Sequence, residues 1–364
     1  MRFRFALFGF ALLLGTSLIS LPAQAQRGQD DLSDLGDALQ TISKGYADNY
    51  VQPVTDAFGA GMNSGLFRTA DVGNSFIPGL PVDVYLGVSV SGTLTSSMET
   101  SFRPFGNGQT TFQSDGQTFS VRYEERNSNN IAAGEAPTVL GETEPPGPDL
   151  VVRTDLDGNG TIESDEVVSD PKAPQGLLDT NIAPIVVPQL GIGSVAGTDL
   201  QVRYFPKTTL SGGGGSYGKV GLFGIAVRHD IDQWFPAPLP FQLAVQGAWN
   251  QFSLENDLES GGSTEVLDAS GWAFNVQASK GIPVVPVVLY GGLQYEKFNV
   301  DYDYTLNLTG APNQEISLSQ TSANNFRGLA GLSISIPPTP VRINVDYAIG
   351  SENNVVTTGL GVRL

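Results

Sequence analysis

The stretch TDLDGNGTIESDE, Thr154 to Glu166, spaces oxygen-bearing side chains as a hard divalent cation requires. Counted from Asp155, the first, third and fifth positions are Asp155, Asp157 and Asn159, the sixth is Gly160, and the ninth and twelfth are Glu163 and Glu166. Alternate oxygens wrap the ion and the glycine permits a sharp turn. Thr161, at the seventh position, supplies its backbone carbonyl, and Glu166 closes the shell with both carboxylate oxygens. Asp155, Asp157, Asn159, Thr161, Glu163 and Glu166 are thus the candidate ligands of one calcium ion, with Ile162 packing inward. The helices of a sensor are missing. GETEPPGPDLVVR, before the loop, is too rich in proline and β-formers for an entering helix, and SDEVVSD allows at most a turn or two before Pro171. A sensor works by moving two helices, so the expectation is a structural ion, bound in the extracellular range of roughly 0.1–1 mM. The competing reading is a solvated acidic loop that matches the pattern by chance.

Other residues offer less. His229 is the only histidine, so a hydrolase in this chain would need it as its base. Near the end of a strand, with Asp230 beside it, it reads instead as a rim histidine paired with a carboxylate. SGGGGSYGK, Ser211 to Lys219, has a glycine run and a lysine but not the spacing of a phosphate loop, and reads as a flexible loop tip. Arg203, Arg327, Arg342 and Arg363 fall in strands, where an inward arginine is expected to pair with Asp or Glu; Asp346 is one such partner. Their alternative role is to set an anion preference. There is no cysteine, hence no disulfide and no thiolate site. The chain is expected not to be an enzyme.

The elements that must position these residues follow from patterning. Arg2 and Arg4, then FALFGFALLLGTSLI and Ala23-Gln24-Ala25, make residues 1–25 a cleaved signal peptide, too short to span a bilayer. Residues 26–80 form a helical N-terminal segment, a plug or a periplasmic cap. Its apolar residues Leu32, Leu35, Leu39, Ile42, Tyr46 and Tyr50 fall at helical spacing from Asp30 to Tyr50, with Pro53 interrupting and FGAGMNSGLFRTA broken by glycines. Beyond Pro81 the period becomes two. Val341, Ile343, Val345, Tyr347 and Ile349 alternate with Arg342, Asn344 and Asp346, and the same holds around Trp249 and Trp272. About ten such strands (range 8–14) begin near Val82, Pro184, Thr198, Tyr217, Pro240, Ser270, Pro286, Asn324, Pro340 and Asn354. Short turns (SVAG, FPAPLP, GIPV, PPTP) alternate with long connections at 97–183, 206–216, 255–269 and 303–323. That asymmetry predicts a mainly β fold, an antiparallel transmembrane β-barrel over residues 81–364 with turns in the periplasm and loops outside. The surface loop 97–183 then carries the candidate metal loop 155–166. The net charge of −18 argues against nucleic acid as a partner.

YADNYVQPVTDAFGAGMNSGLFRTA, VVPQLGIGSVAGTDLQVRYFP and INVDYAIGSENNVVTTGLGVRL together resemble an uncharacterised family of Gram-negative exported outer-membrane β-barrel proteins with a helical N-terminal segment. The final strand adds to this, because Thr357, Gly359, Val362 and Leu364 resemble the terminal signal read by barrel-assembly machinery, with Leu in place of the usual Phe. A helix ahead of a barrel is similar, more loosely, to long-chain fatty-acid transporters, and residues 155–166 are EF-hand-like. The resemblances imply an outer-membrane protein surrounded by lipid, passing or taking up a small, even hydrophobic, solute. A non-transport surface or adhesion-type barrel is the alternative, and a hydrolase using His229 the third reading.

Overall fold

The computed structural model describes residues 48–70, 82–95, 100–103, 109–114, 117–124, 135–141, 149–169, 181–212, 215–256, 264–306 and 314–364. The signal peptide expected at 1–25 and most of the helix expected at Asp30–Tyr50 lie outside these. A helix, α1, covers 48–62. Strand β1 (Asp83–Leu94) follows, then six short strands: β2 (Ser101–Phe102), β3 (Gln109–Ser114), β4 (Gln117–Glu124), β5 (Ala136–Pro137), β6 (Asp149–Thr154) and β7 (Val167–Ser169). Long strands resume with β8 (Ile182–Val195), β9 (Thr198–Gly212), β10 (Gly215–Asp230), β11 (Gln242–Asn256), β12 (Thr264–Gly281) and β13 (Val287–Leu306). The chain ends with β14 (Gln314–Thr321), β15 (Phe326–Ser335), β16 (Val341–Gly350) and β17 (Asn354–Arg363).

Ten of these strands close on themselves. The order β12-β11-β10-β9-β8-β1-β17-β16-β15-β13 is antiparallel throughout, and β12 pairs with β13 to seal the ring. Closure leaves no ring edge unpaired, which a lipid environment demands. The pleat sorts the side chains. Val88, Leu190, Ile225, Val276, Leu293 and Leu360 face outward and are exposed, whereas Gln189, Gln246, Asn275, Gln277 and Gln294 face inward and are buried. An apolar exterior around a polar interior is the transmembrane barrel's inversion of a soluble core. Tyr204, Phe223, Trp249, Trp272, Tyr295 and Tyr347 add an outward aromatic girdle. Among the described residues no helix is long and apolar enough to cross a membrane.

Ala196 and Gly197, both at positive φ, join β8 to β9 in a two-residue turn whose hand suits the sheet twist. Three of the expected long loops prove to be strand. Residues 206–212 and 215–216 extend the β9–β10 hairpin, 264–269 belong to β12, and 303–306 and 314–321 lie in β13 and β14. Their β-branched and alternating residues keep pairing beyond the ring, and at 206–209 the polar composition that suggested a loop goes with side chains exposed on both faces.

The helix also departs from expectation. Within the described residues α1 runs through Pro53, Gly59 and Gly61 rather than ending before them. Burial explains this. The Cβ that any other residue would add at Gly59 falls 3.0 Å from Phe298, and at Gly61 3.2 Å from Thr93 Oγ1. The glycines that weaken a helix in water here let it lie against the barrel wall.

The chain divides into two compact units. One gathers β2–β7, with a four-stranded sheet β3-β4-β6-β7; the other contains 55–95, 182–302 and 319–364, with the barrel ring and the second half of α1. The sheet went unread in the sequence as part of the loop 97–183.

Candidate functional site

Inside the barrel unit, residues 55–70 occupy the lumen. Phe58 and Met62 pack among Val187, Leu222, Ala269, Phe298 and Val300 near one end. Below them the wall is polar and grips the backbone. A helix leaves its last carbonyls without intrahelical donors, and its C-terminal end carries partial negative charge, so cations suit that end. Arg203, 1 % exposed, donates to Met62 O at 2.7 Å and to Ser64 O. Arg327 donates to Ala60 O at 2.9 Å and to Ser64 Oγ at 2.6 Å. Gln294 Nε2 reaches Asn63 O at 3.1 Å, Gln189 Nε2 reaches Gly65 O at 3.0 Å, and Arg228 donates to Thr69 O.

Gly65 makes the turn out of the helix, with φ +69°. A side chain there would be strained and would run into Ser89 Oγ and Cβ. We expect Gly65→Ala to weaken docking of this segment by about 1–3 kcal/mol. Limited proteolysis of the folded barrel checks this: faster cleavage within 55–70 is the expected outcome, and an unchanged rate contradicts it.

The four arginines singled out in the sequence divide. Arg327 pairs with Glu296, and Arg363 Nε with Asp83 Oδ2 at 2.6 Å, as expected of inward arginines. Arg203 instead takes backbone carbonyls. Asp346, expected beside an arginine, accepts a hydrogen bond from Tyr290 Oη at 2.9 Å. Arg342 lines a cavity near the short-turn rim. Glu296, Asp83 and Arg228 were missed; their alternation parity marked them as inward, but only the ring's register reveals what they meet.

His229 is engaged by Thr198 Oγ1 at 2.9 Å on Nδ1 and lies 3.2 Å from Gln233 Nε2 on Nε2, with Trp234 against its ring. It sits at the rim as expected, but with an amide and a hydroxyl rather than a carboxylate as its hydrogen-bonding partners. Strand parity turns it outward with Val227 and Ile225, away from the lumen.

In the other unit, β6 and β7 flank the loop 155–166, so strands stand where a sensor has helices. Asp155 Oδ1 accepts from the Gly158 N–H at 2.7 Å and its Oδ2 from the Gly160 N–H at 2.7 Å. Gly158 and Gly160 take φ +76° and +84°, the bends that let these amides turn inward. Glu166 Oε1 accepts from Leu156 N–H at 2.7 Å and its Oε2 from Glu163 N–H at 2.8 Å. Carboxylate oxygens of Asp155, Asp157 and Glu166 gather within 4.8 Å of one another. Asn159 Oδ1 accepts from the Thr161 N–H at 2.8 Å, and Glu163 Oε1 lies 3.4 Å from Asn159 Nδ2. The backbone N–H of Gly160 above all holds the Asp155 carboxyl below its usual pKa, and that of Glu163 does the same for Glu166. A depressed folded-state value favours the ordered loop above the unfolded pKa and withdraws that support as pH falls through the lowered values. We therefore expect the loop to hold at neutral pH and to loosen as pH falls below the ordinary carboxylate range of about 4, read by amide exchange at Gly158 and Gly160; loosening near neutrality contradicts it.

No curated protein matches the chain. Among solved structures, the translocator domain of the autotransporter NalP from Neisseria meningitidis is similar at 9 % identity, over 92 % of this chain and 97 % of that one, with a TM-score of 0.27. Ail, the attachment invasion locus protein of Yersinia pestis, is similar at 19 % identity over 46 % and 94 %, with a TM-score of 0.23. The outer membrane protease OmpT from Escherichia coli is similar at 7 % over 78 % and 96 %, with a TM-score of 0.25. Scores this low carry no argument about this chain, whose architecture rests on its own strand pairing. Over residues 1–364 the chain matches the "Family of unknown function (DUF6588)", and it belongs to that family.

Proposed function

We propose that this outer-membrane barrel passes a small polar solute when residues 55–70 withdraw from the lumen, and that its loop 155–166 holds one structural calcium ion. The observation that carries the first part is the chemistry of the wall. Gln189, Arg203, Asn250, Gln294 and Arg327 hold the plug through hydrogen bonds that water can replace, and the same side chains would line a wet channel. A polar wall suits a polar solute better than the hydrophobic one the fatty-acid transporter resemblance implied. Release of small sugars and amino acids from proteoliposomes tests it. We expect little release from the full chain and rapid release from a chain lacking 48–70. Tight vesicles in both cases, with the shortened barrel folded, would defeat passage.

The calcium reading is supported by fit. Oxygens sharing a calcium ion at 2.3–2.6 Å lie at most about 5 Å apart, and the three clustered carboxylates meet that limit. Asp155, Asp157, Asn159, Glu163 and Glu166 would ligate through side chains and Thr161 through its carbonyl, and the ion would neutralise carboxylates that otherwise repel. Calorimetric titration of the full chain is expected to show one site near roughly 0.1–1 mM, weakened at least tenfold by Glu166→Gln. No heat at millimolar calcium, or indifference to Glu166→Gln, would defeat it.

A surface or adhesion-type barrel without transport is the second reading, favoured by the sheet β3-β4-β6-β7 that orders the loop. A hydrolase on His229 has the least support, because that residue faces outward with both ring nitrogens engaged.

A further inference from the structure

Between Gly65 and Thr69, whose carbonyls are held by Gln189 and Arg228, the plug turns an aromatic side chain into the barrel wall. Phe67 is 2 % exposed and stacks on Tyr290 of β13, with ring centroids 5.1 Å apart and planes inclined by 26°. The slot it fills is built from missing side chains. Gly292, two residues along β13 from Tyr290, lies under the ring: a Cβ there would meet Val276 O and come within 2.7 Å of Phe67 Cε2. Gly331 on β15 makes room behind Tyr290, since a Cβ there would lie 2.7 Å from Tyr290 Cζ, and Asp346 fixes that ring by accepting from Tyr290 Oη at 2.9 Å. The slot belongs to the barrel and its occupant to the plug.

The inward neighbours of Gly292 along and across the strands are Tyr290, Gln294, Gln277 and Leu329, which carry no charge. Gln277, directly across on β12, is fully buried. Its Nε2 donates to Gln246 Oε1 at 2.7 Å and to Asn275 Oδ1, so turning the amide over would set its oxygen against two others. Oε1 therefore keeps its place, and among the described residues no donor reaches it. A buried acceptor left this way is costly, and a phenyl ring has nothing to give it. The geometry points to a binding slot for a small uncharged aromatic that carries a hydroxyl, its ring in the place of Phe67 against Tyr290 and its hydroxyl donating to Gln277 Oε1. Such a ring makes the stack that Phe67 makes and adds the hydrogen bond that Phe67 lacks, so it competes with the plug for the wall. The slot's part in transport rests on the passage reading above, whose solute it narrows to a phenol that loosens the plug by taking its seat. Binding itself does not depend on that reading.

Phe67→Ala in the full chain empties the slot, and the heat-modifiability midpoint titrated with phenol, and separately with toluene, reads its filling. Wild type, whose slot is occupied, is titrated beside it so that unspecific partition into detergent cancels. We expect phenol to raise the midpoint of Phe67→Ala saturably over wild type, and toluene, the same shape without a donor, to need roughly two- to tenfold more. Adding Gln277→Leu should erase that difference by weakening phenol and not toluene. In wild type, phenol should speed proteolysis within 55–70 more than toluene does, a measurement that needs no emptied slot should Phe67→Ala misfold. No saturable effect of either compound on a folded Phe67→Ala chain overturns the proposal, as does toluene binding as well as phenol, a preference for phenol that survives Gln277→Leu, or wild-type cleavage indifferent to phenol. A folded barrel lacking 48–70 that passes no solute would remove the transport role and leave phenol binding standing, whereas failure to bind phenol would leave passage of other solutes standing.

Discussion

Replacing Arg327 with methionine is expected to lower barrel stability by about 3–5 kcal/mol, because it strands Glu296 in the lumen without its counter-charge. The Arg327 and Glu296 side chains are 3 % and 1 % exposed. Arg327 Nε reaches Glu296 Oε1 at 3.1 Å and its Nη2 reaches Oε2 at 2.5 Å. The same guanidinium also donates to Ala60 O and Ser64 Oγ, so its loss unfastens the helix end as well. At 2–4 °C per kcal/mol, the heat-modifiability midpoint should fall by roughly 10 °C. Adding Glu296→Gln removes the uncompensated charge and should recover half of the loss or more. A double variant no better than the single one would show that the ion pair is not what the site depends on.

Removing residues 48–70 is expected to turn a closed barrel into a conducting one. The plug is held by at least eight polar contacts, each worth roughly 0.5–1.5 kcal/mol net. Offset by rewetting of the wall and release of chain entropy, these leave a preference on the order of 4 kcal/mol, which keeps the open population near 10⁻³. Without the segment Arg203, Arg228, Gln189 and Gln294 face water, which they accept at little cost. Time-averaged conductance in planar bilayers should therefore rise by roughly two to three orders of magnitude.

Strand number and facing were legible because a membrane barrel writes period-two alternation into every strand. Val341 to Ile349 and Phe241 to Asn250 turn the way their parity requires. Hairpins reaching past the ring were not, since residues such as Thr208 and Thr209, solvated on both faces, carry loop-like composition. Asp115-Gly116 between QTTFQS and QTFSVRYE is a hairpin signal inside the first loop, and it could have revealed β3 and β4. In the loop 155–166, spacing anticipated the convergence of Asp155, Asp157 and Glu166, because local turns determine it. The lumen was opaque for the opposite reason. Gly59 and Gly61 read as helix breakers until the wall around them supplies Phe298 and Thr93. The cavity near the short-turn rim joins Arg68 to residues of several strands, a meeting that no single stretch encodes.

The chain has no cysteine, so a designed pair forms a unique cross-link. A Cβ at Gly61 would lie 3.2 Å from Thr93 Oγ1 and 2.6 Å from Ile185 Cδ1, so with Ile185→Val making room, Gly61→Cys and Thr93→Cys are close enough to form a disulfide across a Cβ separation of about 4 Å. The measurement is the single-channel conductance of this variant before and after reduction, beside the barrel lacking 48–70. We expect the cross-link to form in the folded protein, the oxidised channel to stay shut, reduction to restore rare openings, and the shortened barrel to conduct steadily. A pair that never cross-links, an oxidised channel that opens as often as the reduced one, or a folded shortened barrel that stays silent would contradict a lumen closed by its own N-terminal segment.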